Sequence, residues 1–313
     1  MSLVQKYCTM YPQILSIITD AITIFYAILI EALPFIVLGV LISSFLSIFV
    51  KDKTILKLIP KNRFLGHITI AFFGMLFPVC ECGNLPVARR LIAKGIKPSQ
   101  AITFLLAAPV INPIVIISTY VAFSGIAKEI VILRVVASYL IAVVVGLVFS
   151  LYKNQGGLLK DKFIDYCSTE SEIAVVGRIK DKVIRLTRLI TNETINVFSA
   201  LLLGSLIAAI IGSFSRTSVA AFAHSPLTAI IVMMVLAFIM TICSTVDAFV
   251  ALGYVGIFPL SSILAFLVFG PMIDLRSLSI MSTTFKTKTL VMLVAMVTEL
   301  VVIFSVGYSL FGR

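Results

Sequence analysis

Long uncharged, apolar stretches recur along the chain and are separated by shorter charged segments. Eight long windows contain no Asp, Glu, Lys or Arg, namely 32–50, 64–80, 99–127, 135–152, 194–215, 217–246, 248–273 and 300–312. A helix needs about 20 mostly apolar residues to cross a bilayer, so these windows predict membrane helices. The last window extends back through Glu299 to about residue 289. The stretch 12–30, interrupted by Asp20, predicts either a further spanning segment or an interfacial helix.

The windows also exclude a transmembrane barrel, because several are far longer than strands of roughly 9–11 residues and none alternates like one. The predicted fold class is an all-α polytopic membrane protein with about 8–10 membrane segments. Composition agrees, since 60% of the residues are hydrophobic and 12% are charged, at a mean hydropathy of +1.14. Soluble domains carry about 25% charged residues, so an ordinary soluble domain is excluded. We expect a multi-pass protein of the cell (inner, cytoplasmic) membrane.

The net charge of +11 does not require a nucleic-acid partner in such a protein. Basic residues collect in cytoplasmic loops under the positive-inside rule, which explains the excess. The expected partners are the lipid bilayer and a small-molecule or metalloid substrate, without a cofactor. The sequence leaves the oligomeric state open, and a homo-oligomer is one option.

A polar segment at 153–192, with eight basic and five acidic residues, divides the chain. We predict a first membrane repeat at 1–152, a cytoplasmic linker at 153–192 and a second membrane repeat at 193–313. Inside the linker, apolar residues at helical spacing with basic residues on the other faces predict an amphipathic helix on the cytoplasmic leaflet. A soluble cytoplasmic hairpin is the alternative.

The two halves resemble each other when the second is shifted by 162 residues. Glu31 then falls on Glu193, Phe104 on Phe266, Pro109 on Pro271 and Asn112 on Asp274. One further gap places the segment 77–86 on 240–249. These coincidences predict an internal repeat.

Lys and Arg counts predict how the repeats are oriented. The segments 51–63, 89–97 and 282–289 carry five, four and two basic residues, whereas 215–225 carries one and 254–261 none. If the rich loops are cytoplasmic, residues 64–88 form a re-entrant hairpin with its tip near Cys80, and 226–253 forms a second hairpin from the opposite face. That is an inverted-topology repeat, a common transporter architecture. Two ordinary spanning helices in place of each hairpin are the alternative.

Four segments predict broken helices at membrane depth. They combine a helix-breaking or turn-forming residue with a polar or thiol group, and comprise Cys80–Asn84 between Pro78 and Pro86, Val110–Asn112 between Pro109 and Pro113, Cys243–Asp247, and Gly270–Asp274. Non-helical backbone survives in a membrane only where protein or a polar cavity satisfies it. The substrate-binding residues that we predict from these segments are Cys80, Cys82, Asn84, Asn112, Cys243, Ser244 and Thr245. A tolerated proline kink is the alternative at any single site.

The pair Cys80 and Cys82 is the sharpest local signal. In a regular helix, residues i and i+2 point to different sides, so the two thiols converge only in irregular backbone. Converging thiolates bind soft ions, and we predict a transient metalloid site at this pair. Buried cysteines that act as small apolar residues are the alternative. Glu81, Asp247 and Asp274 are the predicted coupling residues, because ionisable groups inside membranes normally face the bundle interior or water.

The motifs PVCECGNLPVARRL and AAPVINPIVIISTY, followed by CSTVDAFVAL and FLVFGPMIDL, resemble those of a predicted-permease family. That family includes bacterial trivalent organoarsenical efflux permeases, and the resemblance covers residues 30–311. It implies a permease role and importance for a set of six residues, Cys80, Cys82, Asn112, Cys243, Asp247 and Asp274. Arsenical export is an inference from one branch of the family.

The predicted function is therefore a secondary-active permease, not an enzyme, that exports a small thiophilic substrate such as a trivalent arsenical by alternating access. The sequence contains no G-x-x-x-x-G-K-[ST] loop, which argues against direct ATP use. Two alternatives stay open. One is a membrane thiol–disulfide oxidoreductase that uses Cys80 and Cys82, and the other is a permease or channel for a small anion.

Overall fold

The protein is all-helical in the part of the chain that the computed structural model describes. The described residues are 3–49, 59–60, 62–76, 81–161, 163–164, 179–214 and 225–311. Within them the helices are α1 (Leu3–Phe49), α2 (Arg63–Phe73), α3 (Glu81–Ala93), α4 (Pro98–Ile111), α5 (Pro113–Phe123), α6 (Glu129–Ser150), α7 (Ile179–Phe214), α8 (Pro226–Met240), α9 (Asp247–Leu252), α10 (Leu260–Met272), α11 (Leu275–Met281) and α12 (Thr287–Phe311). These ranges contain no β-strand, so the predicted fold class is confirmed.

Length and composition make five segments of the described chain able to cross a membrane. They are Ile18–Ser43, Pro98–Phe123, Glu129–Ser150, Leu260–Met281 and Thr287–Leu310. Three shorter apolar helices accompany them, at Arg63–Phe73, Thr194–Ile207 and Pro226–Met240. The protein is therefore a multi-pass membrane protein.

Helix α1 corrects the predicted segment boundaries at the N-terminus. The sequence predicts 12–30 and 32–50 as separate segments, but one continuous helix of 47 residues covers Leu3–Phe49. At 1.5 Å per residue that helix is about 70 Å long. The predicted boundary near residue 31 therefore lies inside one helix, and residues 18–30 share the candidate span Ile18–Ser43 with the start of the window 32–50.

The core of the bundle is built from α4 and α10. Every residue of α4 is buried, as are nearly all residues of α10, and the two helices contact each other. Other helices surround them, and the outward faces of those helices carry exposed large apolar side chains such as Ile117, Ile132 and Val291. A helix that is buried on all sides is apolar all round, which explains the uninterrupted windows at these positions.

The chain reverses direction between α2 and α3. Helix α2 runs parallel to α4, because Gly66 lies against Gln100 and Gly74 lies against Ala108. Helix α3 packs on α4 and is joined to it by a turn of four residues, 94–97, so these two helices are antiparallel neighbours. It follows that α2 and α3 run in opposite directions, as the predicted hairpin requires. The predicted tip near Cys80 lies outside the described residues, and the re-entrant hairpin stays a prediction.

The second half contains a related break. Helix α8 ends at Thr241, which adopts the left-handed conformation (φ 47°), and α9 begins at Asp247. Helix α9 has only six residues and is followed by a loop and then α10. The window 248–273, predicted as one segment, is therefore two helices separated by a turn, because Gly253 and Pro259 interrupt the run.

The broken helices occur at the predicted prolines. Helix α4 contains Pro109 and stops at Asn112, whose side chain accepts a hydrogen bond from the N–H of Ile114 and starts α5. Helix α10 contains Pro271, and Asp274 caps α11 by accepting from the N–H of Ser277 at 2.5 Å. Asn and Asp are preferred at this cap position because their oxygens bind helix N–H groups that have no partner inside the helix.

Contacts between helices recur in the two halves. In the first half, three helices pack on one another, namely α2, α4 and α6. Their counterparts in the second half, α8, α10 and α12, pack on one another in the same way. Two contacts between the halves also correspond, α3 with α11 and α9 with α5. The long helices α1 and α7 do not follow this match, since α1 packs on α3 whereas α7 packs on α11. The inverted orientation of the repeats stays a prediction.

The start of the predicted linker lies against two loops rich in basic residues. The N–H of Ser99 donates to Gln155, the N–H of Lys160 donates to the carbonyl of Thr284, and the Arg89 guanidinium lies 5.0 Å from the ring centre of Phe163. These three loops therefore lie at one end of the bundle, as the charge counts predict for a common side of the membrane. The later part of the predicted linker is continuous with the second repeat. Helix α7 runs without a break from Ile179 through residue 193, where the sequence predicts that repeat to begin.

Candidate functional site

The two hairpin tips meet at Glu81 and Ser244. Glu81 is the first residue of α3, and Ser244 lies in the break between α8 and α9. The Ser244 hydroxyl donates to Glu81 Oε2 at 3.4 Å, and both side chains are buried. In the alignment of 77–86 with 240–249, these two residues occupy equivalent positions. The contact thus joins the same point of the two predicted repeats.

Arg276 of α11 holds the other oxygen of Glu81. Its Nη2 lies 2.6 Å from Glu81 Oε1 and 3.5 Å from Asp274 Oδ2, and the residue is 1% exposed. One guanidinium group thereby connects the tip of the first hairpin to the break between α10 and α11. A buried charge is costly unless it is paired, so this ion pair fixes how the two halves are placed against each other.

A second buried ion pair also joins the halves, with the carboxylate in the second half and the arginine in the first. Asp247 begins α9, and Arg134 of α6 donates to its two oxygens at 3.0 and 2.5 Å. The same arginine donates to the hydroxyl of Thr119 on α5 at 2.7 Å. Both charged residues are at most 2% exposed. Such a two-pronged contact restricts geometry more than a single bond does.

The two pairs are reciprocal. A carboxylate of the first hairpin, Glu81, binds an arginine of the second half, and a carboxylate of the second hairpin, Asp247, binds an arginine of the first half. The sequence predicts the carboxylates but neither Arg134 nor Arg276. Arg134 directly precedes the window 135–152, which suggests a loop position, whereas α6 begins at Glu129. Arg134 is flanked on both sides by apolar residues, and this pattern could have identified it as a buried charge.

Two thiols lie beside the contact between the tips. Cys82 and Cys243 are buried, and each is the chain neighbour of a residue in the Glu81–Ser244 contact. The hydroxyl of Thr245 lies 3.5 Å from the sulfur of Cys243. Cys80 lies outside the described residues, so its predicted pairing with Cys82 stays a prediction. Within the described ranges, no group of three or more His, Cys, Asp and Glu side chains is placed to hold a metal ion.

The predicted asparagines have different environments. Asn112 caps α5, which gives its side chain a structural task. Asn84 is fully buried on α3, and neither its amide nitrogen nor its amide oxygen has a hydrogen-bond partner in the described structure. The hydroxyl of Thr241, at the end of α8, is likewise buried and unpartnered there. Buried polar groups are nearly always hydrogen-bonded, so both exceptions require an explanation.

Comparisons with known proteins match nearly the full chain. Residues 17–310 match the family described as "Predicted permease". The chain is 36% identical over 280 residues to the UPF0718 protein YcgR of Bacillus subtilis, covering 89% of this chain and 93% of that protein. It is 33% identical over 296 residues to a Streptococcus mutans protein whose name provisionally describes a subunit of a two-component membrane permease complex, covering 92% of this chain and 95% of that protein. No solved structure matches the chain.

Proposed function

This chain belongs to the predicted-permease family, and on that basis we propose that it is a secondary-active permease whose substrate passes between the two hairpin tips. The observation that carries the proposal is the Glu81–Ser244 contact, which brings the broken segments of both halves together among buried residues. Broken helices at the junction of repeats are where transporters hold their substrates. Charged side chains buried among apolar helices also mark such paths.

We propose a small thiophilic solute, such as a trivalent organoarsenical, as the exported substrate. Cys82 and Cys243 are buried thiols at the chain positions next to the contact. Thiolate sulfur is the side-chain ligand that soft centres prefer. Cys80 is expected to add a third thiol from the tip of the first hairpin. Glu81, Asp247 and Asp274 are the proposed coupling groups, because the arginine pairs of Glu81 and Asp247 join the two halves and Asp274 lies beside the arginine that binds Glu81.

The name of the Streptococcus mutans relative bears on partners. We propose that a second membrane subunit is a candidate partner of this chain as well. Co-purification of the tagged chain with the product of a neighbouring gene would test this, and recovery of the tagged chain from membranes without that product would contradict it.

Counterflow of methylarsenous acid in proteoliposomes tests the proposed transport. The wild-type chain is expected to show counterflow, and the variants Cys82→Ser, Cys243→Ser and Cys80→Ser are expected to lose it while remaining folded. Cys8→Ser/Cys167→Ser is the matched control and should transport normally, because those thiols lie far from the tips in the sequence. A probe that merely equilibrates indicates a channel, and thiol oxidation without transport indicates an oxidoreductase. Normal counterflow in all three site variants would refute the thiol mechanism.

A further inference from the structure

A buried histidine lies in the first half, apart from the charged network at the hairpin tips. His67 of α2 is 1% exposed, and its Nδ1 lies 2.7 Å from the carbonyl oxygen of Arg63. A carbonyl oxygen only accepts hydrogen bonds, so Nδ1 carries the ring proton and Nε2 is the basic nitrogen of the neutral ring. Nε2 is buried and has no hydrogen-bond partner in the described structure. This nitrogen is therefore able to bind a second proton.

The imidazole ring lies where three helices meet. A Cβ atom added to Gly146 of α6 would lie 2.7 Å from Cδ2 of His67 and would overlap the hydroxyl of Thr103 on α4. Cδ2 is bonded to Nε2, so the basic nitrogen lies close to the same point. The Thr103 hydroxyl donates to the carbonyl of Ser99 at 3.3 Å, and the Ser99 hydroxyl is buried without a partner in the described structure. The ring thus borders a small polar cluster that touches α2, α4 and α6.

The second half shows that packing of these helices does not require polar side chains. At the shift of 162 residues that relates the halves, His67 corresponds to Ala229 on α8 and Thr103 to Ala265 on α10. Both alanines are fully buried, and α8 packs on α10 as α2 packs on α4. One half therefore fills this contact with methyl groups, whereas the other places a titratable ring and a hydroxyl there.

No carboxylate faces the ring from the described helices that pack on α2. Helices α2 and α4 contain none, and the one carboxylate of α6, Glu129, lies 17 residues before Gly146 at the far end of that helix. Lys97, directly before α4, acts on the ring with a charge of the same sign as a protonated imidazole. Arg63 of α2 is exposed and contacts the ring through its carbonyl. A second proton on His67 therefore places an uncompensated charge inside the bundle.

The polar groups of α6 do not offset that charge. The backbone of Gly146 acts on the ring but does not meet hydrogen-bond geometry with Nε2. The hydroxyl of Tyr139 donates to the carbonyl of Ile68 at 3.2 Å, so it is engaged elsewhere on α2. Burying an uncompensated charge costs more than one hydrogen bond to it returns.

We propose that His67 is a proton-binding site whose protonation releases α2 from α4 and α6. The neutral ring fits the closed packing, and the charged ring is stable only after α2 moves and water reaches it. Histidine is the side chain that ordinarily changes charge between pH 5 and 8, so this release falls in the physiological range. Helix α2 leads to the predicted tip near Cys80, which makes the packing of that arm sensitive to protons. The inference goes beyond the proposed permease function and does not depend on the substrate.

The chain contains two histidines, which allows a direct measurement of the site. In a His224→Asn background, ring-labelled His67 gives the only imidazole nitrogen signals of the full-length chain in nanodiscs. Its ¹⁵N shifts should show the Nδ1–H tautomer at about pH 8.5, and the ring should take up one proton within about two units of pH 6.5. An Nε2–H tautomer, or a ring whose charge does not change down to about pH 4.5, would overturn the inference.

Hydrogen exchange of backbone amides measures the release of α2. Exchange is followed by mass spectrometry at about pH 7.5 and about pH 5.5, with intrinsic rates corrected for pH, and peptides of α12 serve as the internal reference. In the wild type, α2 peptides should lose about tenfold in protection at the lower pH, which corresponds to one unit of pKa. His67→Asn keeps an N–H for the Arg63 carbonyl but cannot be protonated, so it should show equal protection at both pH values. Equal protection in the wild type, or the same loss in His67→Asn, would overturn the inference.

A matched pair of threonine variants tests where Nε2 lies. Thr103→Val keeps the branched shape and removes the hydroxyl beside the ring, so it should shift the titration midpoint of His67 by about half a pH unit or more. Thr69→Val on α2 should leave the midpoint unchanged, because the Thr69 hydroxyl donates to the carbonyl of Leu65 and residues two apart do not share a helix face. Equal midpoints in the two variants would overturn the inference. All three measurements are made without a transported solute, so they stand or fall separately from the permease proposal.

Discussion

Arg134 and Asp247 are 113 residues apart in the sequence, yet they form a buried, two-pronged ion pair that joins α6 of the first half to α9 of the second. Neither residue can leave this pair without placing a charge among apolar helices. The second pair, Glu81 with Arg276, joins the halves in the reverse sense. In each pair, removal of one residue leaves the other charge buried and uncompensated, so the contact between the halves depends on both residues.

The first prediction concerns the strength of the Arg134–Asp247 pair. Asp247→Asn should lower the free energy of unfolding by about 3–5 kcal/mol, because Arg134 is left buried and uncompensated. The double variant Arg134→Leu/Asp247→Leu should lose less than the single variants Arg134→Leu and Asp247→Leu combined. Thermal denaturation of the wild type, these two single variants and the double variant in detergent gives the coupling energy. Strictly additive losses would show that the two side chains do not interact.

The second prediction concerns the proposed coupling groups. Glu81→Gln, Asp247→Asn and Asp274→Asn should lower transport more than Glu31→Gln does, since the first three take part in the buried network and Glu31 lies on the half-buried face of α1. Glu81→Gln should destabilise less than Asp247→Asn, because Arg276 keeps Asp274 as a neighbour at 3.5 Å. Counterflow rates over a pH series, with melting temperatures, provide the comparison. Full activity in all three network variants would remove them as coupling groups.

The third prediction concerns the close approach of α1 and α3. A Cβ atom on Gly39 would overlap the backbone of Gly83. Gly39→Ala should therefore push the helices apart and lower the melting temperature. Gly307→Ala on α12 is the matched control, because nothing lies within 4 Å of its added Cβ. Alanine in an open helical position should stabilise by roughly 0.5–1 kcal/mol. A harmless Gly39→Ala would show that the two helices do not touch there.

The fourth prediction uses the conformation of Thr241. Thr241→Gly should raise the free energy of unfolding by about 1–2 kcal/mol, since glycine adopts a positive φ without the steric cost that a Cβ imposes. Thermal denaturation of the wild type and the variant in detergent makes the measurement. A destabilised glycine variant would argue against strain at this position.

The fifth prediction concerns membrane orientation. Lys97→Cys should be labelled from the cytoplasmic side and Ile257→Cys from the outside, because both positions are exposed and lie in loops rich and poor in basic residues, respectively. Impermeant thiol reagents applied to intact cells and to inverted vesicles make the measurement, with the unsubstituted chain as the background. Labelling of both positions from the same side would refute the predicted topology.

The sequence by itself determined the class of protein and the places where helices break. A run of about 20 apolar residues has few stable forms other than a membrane helix, so the windows 99–127 and 135–152 located the spans Pro98–Phe123 and Glu129–Ser150 closely. Proline lacks an N–H and Asn or Asp caps a helix, so Pro109 with Asn112 and Pro271 with Asp274 mark the interruptions through local chemistry alone. The hairpin at 64–88 followed from the positions of Arg89 and its basic neighbours.

Only the tertiary structure decided which charges meet. Helical periodicity and charge counts carry no information on pairing across more than 100 residues, so Arg134 and Arg276 could not be matched to Asp247 and Glu81. The same limit hid the continuity of α1, since the sequence does not show whether Asp20 separates two segments or lies inside one helix. Whether a buried amide is satisfied, as at Asn112, or left open, as at Asn84, depends on the atoms that surround it in space. Those atoms come from distant parts of the chain, and packing alone brings them together.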